Sequence, residues 1–317
     1  MTVPLDGLQA PENEPVLPCE KLPEPFVVGD AGRAYLEIVG GAPFSTAMPS
    51  DAVCDGFDFE GWALRAASVR GLSHRHAGTA RQDAYAVRYA AETDRLVLIV
   101  CDGVGSGVLS HIAADVASTF LADELIDCDL GDDPNLWTGI FADASAAVCV
   151  RARQVLGRSD AEIDDVRAVM ATTAVAVVVS AVTQPGPWEV CYAAVGDSSL
   201  WTARHHASDE AFEGWTPILG GKINDGEFAS NRTSALPLWV DSPVRSEHFE
   251  LDGEMLLLLC TDGVGDAFLG GAGPVAIELG SAWSSPPTPL NFAAHVSFGR
   301  RSLLDDRTGI ALWSPGG

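Results

Sequence analysis

An α+β domain, with packed sheets covered by helices, is predicted by three features of the sequence. Strand-like apolar runs outnumber helical patterns. They come in consecutive groups rather than in strict strand–helix alternation. Several are continuous rather than alternating, as strands covered on both faces tend to be.

In chain order the strand candidates are 62–69, 84–89, 96–101, 172–182, 188–195, 200–203, 246–251, 255–260 and 308–313, all rich in Val, Ile, Leu or aromatic residues. The stretch 171–182 is the longest near-continuous apolar run and is too short to cross a bilayer, so it reads as a buried strand. Two helical patterns fall between the third and fourth strands. Segment 110–126 repeats apolar residues at Ile112, Val116, Phe120, Leu121 and Leu125. Segment 134–156 does so through Trp137, Ile140, Phe141, Ala144 and Val148, with Pro134 suited to a helix start. A weaker helix, 291–298, precedes the last strand. The connection 204–245 carries Gly, Asn, Ser and Pro, and connections this long are usually functional or mobile. Residues 1–60, rich in Pro, Gly and acids, read as an N-terminal extension of unknown role, and the folded body is expected over 61–317.

A chain of 317 residues can bury a sizeable core. Its net charge of −25 disfavours nucleic acid and anionic lipid as partners, since both need clustered Lys and Arg. Seven cysteines, an odd number, include no close CxxC pair. Cys101, Cys191 and Cys260 sit inside apolar runs and are expected as buried thiols in a reducing compartment. The start of the chain has neither a basic n-region nor an apolar h-region, so a cytoplasmic location without membrane insertion is expected.

The informative feature is a recurrence. Leu96-Val-Leu-Ile-Val-Cys-Asp102-Gly103-Val104-Gly105 and Leu256-Leu-Leu-Leu-Cys-Thr-Asp262-Gly263-Val264-Gly265 are the same phrase, an apolar strand ending in Asp-Gly. A third strand ends in Gly196-Asp197-Ser198, Asp305-Asp306-Arg307-Thr308 opens the last one, and Asp83 precedes the strand at Ala84. One Asp-Gly after a strand is ordinary turn chemistry. A set of them can converge on one rim of a sheet, where uncompensated carboxylates repel. Manganese or magnesium, which prefer oxygen ligands, would relieve that repulsion, and Gly103 would let its carbonyl approach an ion closely.

These residues resemble the metal-dependent serine/threonine phosphatases of the protein phosphatase 2C type. That family carries an acidic pair before an early strand, then Asp-Gly, Gly-Asp-Ser, Ser/Thr-Asp-Gly, and Asp-Asn or Asp-Asp before a Thr. The counterparts here are Gln82-Asp83, Asp102-Gly103, Gly196-Asp197-Ser198, Thr261-Asp262-Gly263 and Asp305-Asp306-Arg307-Thr308, in the family order. The resemblance implies a four-layer αββα fold, a central antiparallel β-sandwich flanked by helices with two metals at one edge, and 61–317 as the catalytic domain. It implies Asp102 bridging two Mn2+ or Mg2+ ions, the Gly103 carbonyl on one, Asp262 and Asp305 on the other, and Asp83 contributing directly or through water. Asp197 matches the position that serves a third metal in some members. The implied reaction is hydrolysis of phosphoserine or phosphothreonine in a protein, a kinase or its target, by attack of a metal-bridging water. Asp102, Asp262 and Asp305 act through that water, and no covalent protein intermediate is needed.

The chain departs from the family pattern in several places. Gln82 replaces the first acid of the early pair. Gly78 stands where animal members hold a phosphate-binding Arg, which leaves Arg81 or Arg75 as substitutes. Val104 follows Asp102-Gly103 where those enzymes have a His, and Ser199 replaces a frequent Arg. These fit a divergent bacterial-type member.

Other readings compete. The glycines at 103, 105 and 107 suggest a dinucleotide turn, but their spacing is one residue short and Asp102 would repel the phosphates. Asp127-Cys128-Asp129 follows a helical pattern and reads as a solvated helix end. His74 and His76 are placed to touch phosphate or to lie on an exposed strand end. His205 and His206 read as solvated, and 284–289 as a turn. A pseudophosphatase, the same fold used as a regulatory binding module, is the rival from another class; the intact carboxylate set argues for the enzyme.

Overall fold

The computed structural model describes residues 26–33, 49–130, 135–205, 212, 214–220, 234–239 and 242–316. Among these residues eleven strands form two stacked antiparallel sheets. The first sheet holds β1 (Ala52–Phe59), β2 (Trp62–Val69), β7 (Ser199–Arg204), β8 (Thr216–Leu219), β10 (Met255–Cys260) and β11 (Arg307–Trp313), in the order β1-β2-β11-β10-β7-β8. The second runs β3-β4-β5-β6-β9, with β3 Ala84–Ala90, β4 Arg95–Cys101, β5 Ala174–Ser180, β6 Trp188–Val195 and β9 Arg245–Leu251. Among the described residues every pairing between these strands is antiparallel, which removes the dinucleotide-fold alternative.

Successive residues of a strand point to opposite faces, and here both faces are covered. Leu96, Leu98 and Val100 of β4 meet Leu257 and Leu259 of β10 in the core between the sheets. Val97, Ile99 and Cys101 turn outward under α2 (Ser110–Asp127) and α3 (Leu136–Leu156), which pack through Ala117, Leu121, Phe141 and Val148. On the far side Leu256, Leu258 and Cys260 face α6 (Pro274–Ala282) and α7 (Pro289–Val296) through Leu279, Trp283 and Phe292. The layers are therefore αββα, and continuous apolar runs follow from strands clad on both sides. Short helices α1 (Leu72–Ala77), α4 (Ile163–Arg167) and α5 (Asp262–Gly265) sit in connections. Among the described residues no helix is long and apolar enough to cross a membrane.

The predicted strands and long helices fall on β2 to β7, β9 to β11, α2, α3 and α7. Pro134 and His206 lie outside the described residues. The structure adds elements the pattern did not suggest. β1 lies within the stretch expected as an extension and pairs with β2 over its whole length. Residues 26–33 also dock on the body: Val28 N donates to Gly299 O at 3.1 Å, and Gly299 N to Phe26 O at 2.6 Å. Cys101 and Cys260 are buried free thiols, whereas Cys191 is only half-buried. Asp127 and Asp129 straddle the end of α2, with the Asp129 side chain exposed.

Candidate metal centre

Antiparallel pairing places the start of one strand beside the end of its neighbour. Ala84, at the start of β3, pairs with Cys101 at the end of β4, so Asp83 and Asp102 leave the second sheet side by side. Cys260, at the end of β10, pairs with Gly309 near the start of β11, which brings Asp262 and Asp305 together on the first sheet. The turn holding Asp197 joins β6 to β7 and so crosses between the sheets at the same rim, since Ser199 pairs with Cys260.

The carboxyls of Asp102 and Asp262 are in hydrogen-bond contact. Burial, and then the nearby charges of Asp83 and Asp262, push Asp102 well above the usual carboxylate range. Burial also raises Asp262, to about 6; its hydrogen bond with Asp102 opposes this, while Asp197 and Asp305 add to it. Without a cation the two carboxyls oppose each other's ionisation and titrate as a pair. Asp83 is raised well above its ordinary value by burial and by Asp306, against the hydroxyls of Thr261 and Thr308. The Thr261 hydroxyl donates to Asp83 Oδ2 at 2.9 Å.

The backbone at each acid is held in place. Asp102 O accepts from the Thr172 hydroxyl at 2.8 Å and from Thr173 N at 2.7 Å, and Asp102 N donates to the Thr173 hydroxyl at 3.2 Å. Gly103 has no room for a side chain, since a Cβ there would stand 2.6 Å from Gln82 O. Gly71 and Gly263 lie against the backbone of Asp305 and Asp306, where any Cβ would collide.

Asp305 and Asp306 part ways. The Asp305 side chain is 63% exposed, while that of Asp306 is 2% exposed and fully engaged. Gly71 N donates to Asp306 Oδ1 at 2.6 Å and Gln82 N to Oδ2 at 2.5 Å. His74 Nδ1 lies 2.9 Å from Oδ2 and 4.0 Å from Asp305 Oδ1, off the straight line of a hydrogen bond. The Asp306 contact holds the imidazole pKa above its ordinary value despite burial. His74 thus sits on helix α1 facing acids, and His76 is exposed on the same helix.

The arginines expected at the phosphate are differently placed. Arg81 is buried. Its guanidinium donates to Ser68 Oγ, to Asp83 O at 2.7 Å and to Ser50 O at 3.2 Å, and burial lowers its pKa. Arg75 lies 3.8 Å from Asp51 on α1. His205, expected to be solvated, instead contacts Ser314 O at 3.2 Å. Residues with no advance signal include Asp306 as a backbone anchor, and Thr172, Thr173, Thr261 and Thr308 as supports; only their position next to the acids marks them.

The donor set tests the fit of a metal. Asp83, buried, and Asp102 and Asp262, half-buried, are oxygen ligands pressed together, and two of them touch. A hard divalent cation suits such a set, and a thiophilic one does not.

A family model described as protein phosphatase 2C matches residues 70–284, and the chain belongs to that family. No curated protein matches. Among solved structures, a Streptococcus agalactiae serine/threonine phosphatase is 14% identical, with 83% of this chain and 99% of that chain covered at a TM-score of 0.54. A bacterial serine phosphatase is 15% identical over 80% of this chain and 98% of its own, TM-score 0.53. PppA, a regulatory component of type VI secretion in Pseudomonas aeruginosa, is 15% identical over 82% and 100%, TM-score 0.51. At these identities the likeness establishes the fold.

Proposed function

We propose that this chain is a metal-dependent phosphoprotein phosphatase acting on phosphoserine or phosphothreonine, with 61–317 as its catalytic body. The observation that carries the reading is the contact between the half-buried carboxyls of Asp102 and Asp262, with the buried Asp83 at the same rim. Mn2+ or Mg2+, two per site, would be held by Asp102, the Gly103 carbonyl, Asp262, Asp305 and Asp83, with Asp197 beside Asp262 for a third. Bound there, such cations supply a water that ionises near neutral pH and positive charge for the phosphoryl oxygens.

The chain's own residues do the rest. Thr172 and Thr173 fix the peptide that carries Asp102, and Asp306 fixes the peptides of Gly71 and Gln82 and hence the approach to Asp83. Of the two arginines considered for the phosphate, Arg81 is favoured, because it lines a cavity together with Asp83 and its Nη2 carries none of its three hydrogen bonds. The substrates by chemistry are phosphoproteins, a kinase or its target, met in the cytoplasm.

The test is hydrolysis of p-nitrophenyl phosphate and a phosphothreonine peptide by metal-stripped protein, with manganese, magnesium or neither, beside Asp262→Asn. Manganese-dependent turnover that the variant lacks is expected. Manganese binding without turnover in the unaltered protein would instead favour a pseudophosphatase.

A further inference from the structure

Beside Asp83 opens a cavity of about 540 Å3 whose lining includes Arg81, Asp83, His111, Asp115 and Arg151. It reaches from the rim, where Arg81 and Asp83 stand, outward to the start of α2 and the solvent face of α3. Two guanidinium groups in this lining have donor capacity that the protein does not use, and an imidazole nitrogen beside them is unpartnered. Arg81 spends Nε and Nη1 on Ser50, Ser68 and Asp83, with no bond at Nη2. His111 Nδ1 is buried without a hydrogen-bond partner. Arg151 is exposed on α3 and makes no ion pair among the described residues. Buried polar groups are normally paired, and unpaired donors around one cavity ask for an acceptor from outside.

Of the two acids in the lining, Asp83 is engaged by the Thr261 hydroxyl and, when the centre is loaded, by a cation. Asp115 is exposed, where water and salt screen it. The unspent donors therefore outweigh the acceptors. In a chain of net charge −25, a pocket of this kind stands apart from its surroundings.

We propose that this cavity is a substrate subsite for an acidic side chain flanking the phosphorylated residue, with Arg151 as its specificity-determining cation. The assignment rests on the phosphatase reading above for the identity of the phosphorylated partner. Arg81 forms the inner wall, beside the phosphate, and Arg151 receives the flanking carboxylate. A charged contact at a solvent-accessible site contributes modestly to affinity, so the expected preference is about fivefold.

The experiment uses the full chain and two fluorescent phosphothreonine peptides, one with Asp or Glu on both sides of the phosphoresidue and one with Ala there. Binding is read by anisotropy with manganese present, on peptides carrying a non-hydrolysable phosphonate in place of the phosphate, and hydrolysis with manganese on the phosphopeptides, for the unaltered chain and for Arg151→Ala and Arg151→Glu. The unaltered protein is expected to bind the acidic peptide about fivefold more tightly, and to show a correspondingly lower KM. Arg151→Ala should erase that preference and Arg151→Glu reverse it, with p-nitrophenyl phosphate turnover unchanged. Equal affinity for the two peptides in the unaltered protein, or a preference that survives both substitutions, would overturn the proposal. A preference that Arg151→Ala removes, in a protein with no turnover at all, would support the subsite and overturn only the phosphatase reading.

Discussion

Asp306, buried, and Asp102, half-buried, are aspartates at one rim, yet they are treated in opposite ways. Asp306 receives two backbone N–H groups and the His74 imidazole, so its charge is answered from within the chain. Among the described residues the Asp102 carboxyl meets only other acids: it touches Asp262, with Asp83 close by. A carboxylate surrounded by donors is a structural tie, and one pressed against its own kind awaits a cation. The contrast separates the residues that hold the centre from those that use it.

The largest expected effect breaks the tie. Asp306→Ala leaves the N–H groups of Gly71 and Gln82 unpaired in the interior, and should cost about 3 kcal/mol or more of unfolding free energy, read by urea titration. Asp102→Asn should act in the other direction on stability. It relieves like-charge repulsion, so the metal-free variant should melt above the metal-free parent at pH 7.5. Its manganese-dependent turnover should fall by more than about 100-fold, beyond the range expected for loss of an outer-shell partner.

A pH series sharpens the same contrast. Asp262 is raised from 3.8 to about 6 in the folded protein. An acid raised on folding stabilises fully below its unfolded value, and that stability is lost as pH climbs through the folded one. Metal-free protein should therefore lose about 2 kcal/mol between pH 4 and 7 from this group, a slope that Asp262→Asn removes. Manganese should restore the loss, so its gain in Tm should be greater at pH 7.5 than at pH 5. The smallest effect is expected of His74→Ala, which takes one of three partners from Asp306. About 1 kcal/mol of stability and a several-fold loss of manganese affinity are expected, with His74→Asn retaining more of both.

Much of the fold was legible because strands clad on both faces leave long apolar runs, as in 96–101 and 255–260. β1 was not, because most of its residues are exposed and no such run marks it. α1 likewise buries no residue, and α6 is short and set among glycines. The acids were legible through the repeated strand-Asp-Gly phrase, since a sheet must bring strand ends together. The division of labour between Asp305 and Asp306 was not, because adjacent residues of one type differ only in the side of the chain they leave from. The same holds for Arg81: nothing in Thr-Ala-Arg-Gln-Asp tells that its guanidinium folds back onto Ser68.

The most direct test of the central claim is calorimetric titration of manganese into the metal-stripped protein at pH 7.5, beside Asp102→Asn and Asp306→Asn. The account predicts about two ions per chain for the parent, binding that collapses in Asp102→Asn, and binding that persists in Asp306→Asn. Equal binding by the parent and Asp102→Asn, or none by the parent, would contradict it.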